Sequence, residues 1–189
     1  MKNRAIILLG IKHSGKSTQG ELLAKHRGCP FIDIDTVITE MTGSSPRTIY
    51  TEQGAAGFMA AEEAACAQTA QKYGEKDIVI ATGGGICDNA PALEALRSLG
   101  AFVFINADEN TAAGRILKKA VRNEDGSWSN LPAYIARAQP KTESEIREIF
   151  HSFYEMRTKI YGRIADITIN MQNRTKQENA NYIAETLGF

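Results

Sequence analysis

The sequence predicts an α/β fold in which a parallel sheet is covered by helices on both faces, and three observations support this. Short apolar runs alternate along the chain with longer stretches of helical character. The short runs are apolar nearly throughout, as expected of strands that are buried on both faces. A glycine-rich turn, GIKHSGKST at 10–18, directly follows the first run. Ligands of such sheets bind at the carboxyl ends of the strands.

Five strands are predicted in chain order. They are AIILLG (5–10), FIDID (31–35), DIVIAT (77–82), AFVFIN (101–106) and DITIN (166–170). Helices are predicted over 17–28, 58–74, 109–121, 142–161 and 177–189. Gly28 suits the left-handed position that ends a helix, and Thr142 with Glu145 predicts a capping box.

A polar, glycine-containing stretch at 122–132 carries the only tryptophan, Trp128. Its composition predicts an exposed loop or lid. Trp128 either sweeps over a site when this lid closes or anchors the loop, and the sequence leaves both interpretations open.

Composition bounds the function classes. Hydrophobic residues make up 43% of the 189 residues, which is enough to bury one core in one domain. Basic and acidic residues both total 22, so we expect no nucleic-acid partner and no membrane partner. The apolar run 5–9 is too short for a bilayer span or a signal peptide. Three widely spaced cysteines suggest neither a metal cluster nor a disulfide framework, so we expect the reducing cytoplasm. We also expect a monomer.

The turn at 10–18 matches the pattern G-x-x-x-x-G-K-[ST] between a strand and a helix. Glycines let successive backbone N–H groups point at phosphates, and the helix N-terminus favours the same anion. Lys16 is predicted to reach the outer phosphates and to be a catalytic residue. The Ser17 hydroxyl is predicted to ligate Mg²⁺. The residues predicted to hold the nucleotide here are Gly10, Ser14, Gly15, Lys16, Ser17 and Thr18. The alternative is a glycine-rich turn with an incidental lysine.

Two further motifs follow later strands. Asp33 and Asp35 lie two residues apart near the end of the second predicted strand, where alternation would place both on one face. One carboxylate would hold the Mg²⁺ shell while the other orients a substrate hydroxyl; the alternative is a pair of solvated acids. Gly83, Gly84 and Gly85 end the third strand and would allow backbone approach to a ligand, or merely a tight turn.

Together these motifs resemble the shikimate kinase family, small P-loop kinases related to nucleoside monophosphate kinases. The resemblance covers nearly the whole chain. It rests also on the Gly54–Phe58–Glu62 spacing, on Arg115, and on RTKIYGRIAD at 157–166. That last segment is similar to the family pattern R-x-P-L-Y-x-x-x-A-D, with Lys159 in place of the proline.

The resemblance implies a P-loop kinase domain over 1–189 with a five-stranded parallel sheet in the order 2-3-1-4-5. It implies a helical substrate-binding region over about 36–73 and a lid over about 118–135. The implied cofactors are ATP and Mg²⁺, and the implied acceptor is a hydroxyl on a small metabolite. Shikimate is the leading candidate for this metabolite.

The resemblance also implies residue roles. Lys16, Ser17 and Asp33 would serve the phosphates and Mg²⁺, and Asp35 would contact shikimate hydroxyls and help activate the nucleophile. The implied substrate-binding residues are Asp35, Gly83, Gly84, Gly85 and Arg157, with Arg157 gripping a carboxylate, and the residues implied to lie against the nucleotide are Arg115 and Arg174.

The chain departs from the family on the substrate side. The family motif G-E-x-x-F-R-x-x-E reads GAAGFMAAE here, so Ala55 replaces the glutamate and Met59 the arginine. An arginine offers a carboxylate two charge-assisted hydrogen bonds, and methionine offers none. Without this arginine, the affinity for a carboxylate-bearing substrate would fall roughly ten- to a hundred-fold or more. Glu62 is retained without that arginine, leaving a site for a hydroxyl or an amine.

The lid departs as well, since Leu131 in LPAY stands where the family pattern R-P-L-L has arginine. Arg47, Arg122 and Arg137 are the candidates to compensate, and Met59 either lines the cleft or packs within its helix. Two alternatives to shikimate phosphorylation follow. One is a kinase of this fold for a sugar acid, polyol or nucleotide, and the other is a nucleotide-binding regulator that has lost catalysis.

Overall fold

The computed structural model describes residues 5–189, so the first four residues of the predicted domain lie outside it, and a five-stranded sheet runs through its centre. Its strands are β1 (Ala5–Leu9), β2 (Phe31–Asp33), β3 (Ile78–Ala81), β4 (Gly100–Asn106) and β7 (Ile167–Asn170). All neighbouring pairs are parallel, in the order β2-β3-β1-β4-β7. β7 is the fifth strand of this sheet in chain order, so the predicted order 2-3-1-4-5 is confirmed.

The sheet is buried on both faces. Ile7 and Leu9 of β1 pack into one core with the side chains of several helices, whereas Ile6 and Leu8 pack into a second core on the opposite face. Because a strand alternates its side chains between faces, both sets must be apolar. The continuous apolar runs in the sequence have this origin.

Eight α-helices cover the sheet within the described residues. They are α1 (Lys16–Arg27), α2 (Ile34–Thr42), α3 (Pro46–Tyr73), α4 (Ala90–Arg97), α5 (Glu109–Lys119), α6 (Ala133–Ala136), α7 (Glu143–Ile164) and α8 (Lys176–Leu187). Gly28 ends α1 in the left-handed conformation with φ 65°, as predicted. Thr142 accepts the Glu145 N–H at the start of α7, but the Glu145 carboxylate accepts the Lys141 N–H instead of returning to Thr142. The predicted capping box is therefore only half formed.

The second strand is shorter than predicted. β2 ends at Asp33, whose carboxylate accepts the Asp35 N–H at 3.0 Å and so caps α2. An aspartate in this position satisfies a helix donor, which lets the helix begin at Ile34. The prediction that Asp33 and Asp35 lie on one face of a single strand is therefore wrong, because Asp35 lies in the first turn of α2.

Helix α3 begins twelve residues before the predicted start at residue 58. Ser45 accepts the Thr48 N–H at 3.1 Å as its N-cap, and Pro46 occupies the first turn, where a missing N–H has no cost. Gly54 breaks the helix with φ 72° and ψ −171°, so the segment 46–53 runs in its own direction. This kinked pair of helical segments forms much of the predicted substrate-binding region.

The lid stretch folds into a hairpin. β5 (Val121–Arg122) pairs antiparallel with β6 (Trp128–Ser129), and α6 follows. Trp128 is half-buried against the main core, with the Arg122 guanidinium 5.6 Å from the centre of its ring. These contacts favour the interpretation of Trp128 as an anchor. No helix within residues 5–189 has the length and hydropathy that a membrane crossing requires.

Candidate active site

The phosphate loop connects β1 to α1 and depends on two glycines with positive φ. Gly10 has φ 146°, and a Cβ there would lie 2.7 Å from the carbonyl oxygen of Ile105. Gly15 has φ 104° immediately before α1. The Ser14 N–H donates to the Ile11 carbonyl at 3.2 Å, and the Ser14 hydroxyl is buried without a partner in the described chain. Position 10 therefore has no room for a side chain, whereas position 15 requires a positive φ that residues other than glycine rarely adopt.

Lys16 lies inside this loop. Its ammonium group donates to the carbonyl oxygens of Gly10 at 2.8 Å and Ile11 at 2.9 Å. Burial lowers the pKa of Lys16 to about 8, although Asp35 and Asp33 act to raise it. The group is therefore mostly charged at pH 7, and an incoming phosphate would favour that charge further. Lys16 is positioned to exchange loop carbonyls for a phosphate oxygen.

Ser17 and Asp33 supply the oxygen atoms that suit a magnesium ion. The Ser17 hydroxyl donates to the Asp33 carboxylate at 2.6 Å, which brings the end of β2 to the first turn of α1. Hydroxyl and carboxylate oxygens are hard ligands of the kind Mg²⁺ uses, usually alongside water and substrate phosphates. Within residues 5–189 no group of three or more His, Cys, Asp or Glu residues could hold a metal alone. This donor set therefore fits an ion that arrives with a nucleotide.

Asp35 opens onto a cavity of about 470 Å³ beside the phosphate loop. Its lining includes Lys12, Asp33, Asp35, Thr39, Ser45 and Arg47. Desolvation in the cleft and the neighbouring Asp33 raise the pKa of Asp35, while Lys16 and Lys12 oppose the rise. Of the three candidate compensating arginines, Arg47 is the one that the structure places in this cavity.

The glycine run after β3 passes close to several of these groups. A Cβ on Gly83 would lie 2.8 Å from Oε1 of Glu62 and 3.4 Å from Oδ1 of Asp35. A Cβ on Gly84 would lie 2.6 Å from the backbone nitrogen of Lys12. Gly85 faces open space. Tight packing thus leaves no room for side chains at the first two glycines, and ligand approach stays a prediction for all three.

Glu62 is a buried carboxyl group with one of its two oxygens lacking a hydrogen-bond partner in the described chain. It is 1% exposed, and Asn89 donates to its Oε2 at 3.0 Å. The same Asn89 amide donates to the backbone carbonyl of Met59 at 2.8 Å. Oε1 has no partner in the described part of the chain. Burial raises the pKa of Glu62 to about 7.

Arg157 projects from α7 toward the turn that follows the glycine run. Its guanidinium donates to the sulfur of Cys87 and to the carboxylate of Asp88. The Phe153 ring centre lies 4.9 Å from the guanidinium carbon. Nε is buried without a partner among residues 5–189. The fork predicted to grip a substrate carboxylate is thus occupied by a carboxylate of the protein.

The two arginines predicted to lie against the nucleotide occupy different places. Arg115 donates to the carbonyl of His13 at 2.6 Å and lies beside Gly15, on the phosphate loop. Arg174 lies 5.4 Å from the ring centre of Tyr182 in a separate shallow pocket on α8. The structure therefore brings Arg115, but not Arg174, to the loop.

Two lid arginines are less suited to replace the one missing at position 131. Leu131 is 5% exposed and belongs to the main core. Arg122 stacks on Trp128, and Arg137 is exposed at the end of α6. Leu131 therefore contributes packing where a charged side chain was expected.

Sequence reasoning missed the short 3₁₀ turn Ile86–Asp88 and the residue after it. Cys87 and Asp88 contact Arg157 on α7, while Asn89 contacts Glu62 on α3. Their position just after the glycine run was the available signal.

The fold and the phosphate loop together define a P-loop kinase. A profile described as "Shikimate kinase" matches residues 12–188. The shikimate kinase of Thiobacillus denitrificans is 33% identical over 169 residues, covering 89% of this chain and 82% of that protein. That of Lactococcus lactis subsp. cremoris is 32% identical over 181 residues, covering 96% of both. The solved structure of Acinetobacter baumannii shikimate kinase in complex with shikimate matches with a TM-score of 0.77 at 25% identity, covering 98% of this chain and 93% of that one. This chain belongs to the shikimate kinase family.

Proposed function

We propose that this chain transfers the γ-phosphoryl group of ATP to a hydroxyl of a small metabolite, and that shikimate is the acceptor. The observation that carries the proposal is the arrangement at the cavity, where Ser17 and Asp33 are in hydrogen-bond contact and Asp35 follows on the same turn. Family membership supports the reaction type and the acceptor.

The chemistry follows from these positions. Asp35 accepts a hydrogen bond from the acceptor hydroxyl and takes its proton as the oxygen attacks the γ-phosphorus. The new O–P bond forms as the bond between the γ-phosphorus and the bridging oxygen of ADP breaks. Lys16 donates to the phosphate oxygens as charge moves onto ADP. Ser17 and Asp33 would hold a Mg²⁺ ion, which supplies further charge neutralisation when bound.

The role of Lys16 is tested by Lys16→Ala. We expect turnover to fall to background with the fold retained, because the loop loses the ammonium group that α1 directs into it. The measurement is ADP release with ATP and Mg²⁺, with and without shikimate, alongside circular dichroism. Lys25→Ala, an exposed lysine on the same helix, is the matched control and should keep full activity. Normal turnover by Lys16→Ala would overturn the assignment.

A kinase of this fold for another acceptor is the second candidate, and three observations favour it. Met59 offers no charge, the Arg157 fork is occupied by Asp88, and Oε1 of Glu62 has no partner in the described chain. ATP binding without stimulation by shikimate would favour this candidate, and a screen of sugar acids, polyols and nucleotides would follow. Bound ATP with no transfer to any acceptor would instead favour a regulator that has lost catalysis.

We also propose a magnesium-dependent monomer that works in the cytoplasm. The oxygen donors of Ser17 and Asp33 support the metal. Three free cysteines in the described chain, Cys29, Cys66 and Cys87, support a reducing compartment. The proposed roles of Gly83, Gly84, Gly85 and Arg174 in binding remain predictions of the family resemblance.

A further inference from the structure

The contact between Arg157 and Asp88 joins a nearly buried side chain to an exposed one. The side chain of Arg157 is 10% exposed, whereas that of Asp88 is 55% exposed. Arg157 is fixed by its helix, by Phe153 and by Cys87, while Asp88 ends a 3₁₀ turn of three residues. A rotation about the side chain of Asp88 would therefore release the guanidinium at little structural cost, whereas Arg157 itself has little freedom to move.

Asp88 presents Arg157 with the same chemical group as a carboxylate-bearing acceptor. A guanidinium forms its strongest contact with one carboxylate at a time, through two parallel hydrogen bonds. One terminal nitrogen of Arg157 is taken by Asp88 and the other by Cys87. An acceptor carboxylate that binds Arg157 through both terminal nitrogens must therefore compete with Asp88.

The neighbouring positions on α3 give the acceptor no second fork. Met59 carries no donor in its side chain, and its carbonyl already accepts from Asn89. Glu62, tied to the same Asn89, adds a carboxyl group rather than a cation. The affinity for the acceptor therefore depends strongly on how well its anionic group competes with Asp88 for Arg157.

We propose that Asp88 is a specificity-determining residue that competes with the anionic group of the acceptor for Arg157. This inference rests on the proposed function, since it concerns the acceptor of that same reaction. Asp88 lowers the affinity for every carboxylate-bearing acceptor and leaves neutral acceptors unaffected. The nucleotide side of the site does not take part.

The test is Asp88→Asn, which keeps the shape of the side chain and removes its charge. KM for shikimate should fall roughly three- to tenfold, with kcat and KM for ATP unchanged. The methyl ester of shikimate, which has no charge to place on Arg157, should show no such gain. Isothermal titration of shikimate without nucleotide provides a readout that is independent of turnover.

Asp77→Asn is the matched control. Asp77 also pairs with an arginine, Arg27, and its side chain is 61% exposed, but the pair lies away from the glycine run. This variant should leave both KM values unchanged. Asp88→Ala is a second variant with the same expected direction, in case the asparagine keeps a hydrogen bond to Arg157.

The outcomes separate the inference from the proposed function. If the unsubstituted protein phosphorylates shikimate and both Asp88 variants bind it equally or more weakly, Asp88 positions Arg157 and the inference is overturned. A gain that is equal for shikimate and its methyl ester would also overturn it, because charge competition would not be the cause. If no form binds shikimate although ATP binds, the proposed acceptor fails and the inference fails with it.

Discussion

At the scale of single residues, Glu62 is a buried carboxyl group whose ionised form is poorly stabilised. A buried carboxyl group loses hydration on ionising, and only a hydrogen bond or a cation offsets that loss. Within the described chain Glu62 has one hydrogen bond, from Asn89, and position 59 holds no arginine. Asp35 and Asp88 act further to raise its pKa, which lies at about 7. The folded protein therefore holds a proton on Glu62 that the unfolded chain releases at lower pH.

The consequence is a loss of stability as the pH rises. The unfolded carboxyl ionises near pH 4.5 and the folded one near pH 7, so its stabilising effect is full below 4.5 and is lost through about 7. This difference corresponds to roughly 3–3.5 kcal/mol in the free energy of unfolding. Glu62→Gln should remove this pH dependence and be the more stable form at pH 8. Urea unfolding of both proteins between pH 4.5 and 8 measures it, with the exposed neighbour Glu63→Gln as control.

Burial lowers the pKa of His13 to about 4, which gives both proteins an opposite pH dependence over part of this range. A difference in stability between the wild-type protein and Glu62→Gln that stays constant from pH 4.5 to 8 would therefore contradict the prediction. It would mean that Glu62 is ionised in the folded state, with a cation or water at its unpartnered oxygen. The binding of an acceptor ammonium group would then become the better explanation for the residue.

Residues differ in how far the sequence alone identifies them. Lys16 and Ser17 were identifiable because a local pattern of eight positions fixes their geometry relative to a strand and a helix. The contact of Arg157 with Asp88 spans 69 positions and has no local pattern. The same holds for Glu62 and Asn89, which are 27 positions apart. Side-chain pairing across the fold is decided by tertiary packing, which one sequence does not reveal.

At the scale of elements, the ends of helices and strands were predicted less accurately than their presence. Two places show the physical reason. The run FIDID was predicted to be a strand throughout, yet the Asp33 carboxylate accepts the Asp35 N–H and so caps a helix that starts inside the run. The segment 46–53 has a mixed composition, yet Ser45 and Pro46 start a helix there. In both places one capping residue outweighed the propensity of the residues around it.

Gly54 provides a test at this scale. It combines φ 72° with ψ −171°, a conformation that is essentially restricted to glycine, and no atom of the described chain lies within 4 Å of the position that a Cβ would take. Gly54→Ala should therefore lower the free energy of unfolding by about 1–3 kcal/mol through backbone strain alone. It should also raise KM for the acceptor, because the segment 46–53 carries Arg47 into the cavity.

Gly162 in α7 is the matched control for Gly54. A Cβ there also meets no described atom within 4 Å, but its backbone is helical. Gly162→Ala should raise the free energy of unfolding by about 0.5–1 kcal/mol, because alanine favours the helix and restricts the unfolded chain. Urea unfolding of both variants distinguishes strain from helix propensity. Equal effects of the two substitutions would show that the Gly54 kink is not strained.

At the scale of the whole molecule, the sheet order and both buried faces were predictable. Continuous apolar strands between helices predicted the parallel sheet and its two buried faces, and the resemblance to the shikimate kinase family implied the strand order. What remained unpredictable was the charge balance on the acceptor side, where Asp35 and Asp88 raise the pKa of Glu62 and Asp88 also pairs with Arg157. That balance arises from elements that are distant in sequence.

The same architecture leads us to expect a monomer. The edge strands of the main sheet are short, with three residues in β2 and four in β7, and short edges offer little for another chain to pair with. The large exposed apolar side chains of the described residues are dispersed over α2, α3, β5, α7 and the C-terminus, namely Met41, Tyr50, Val121, Met156 and Phe189. A stable interface buries more than about 1,000 Å² with a contiguous apolar centre. Light scattering should therefore give a mass of 20.7 kDa, and the Tm should not depend on protein concentration. A mass near twice this value, with a Tm that rises with concentration, would instead indicate a dimer.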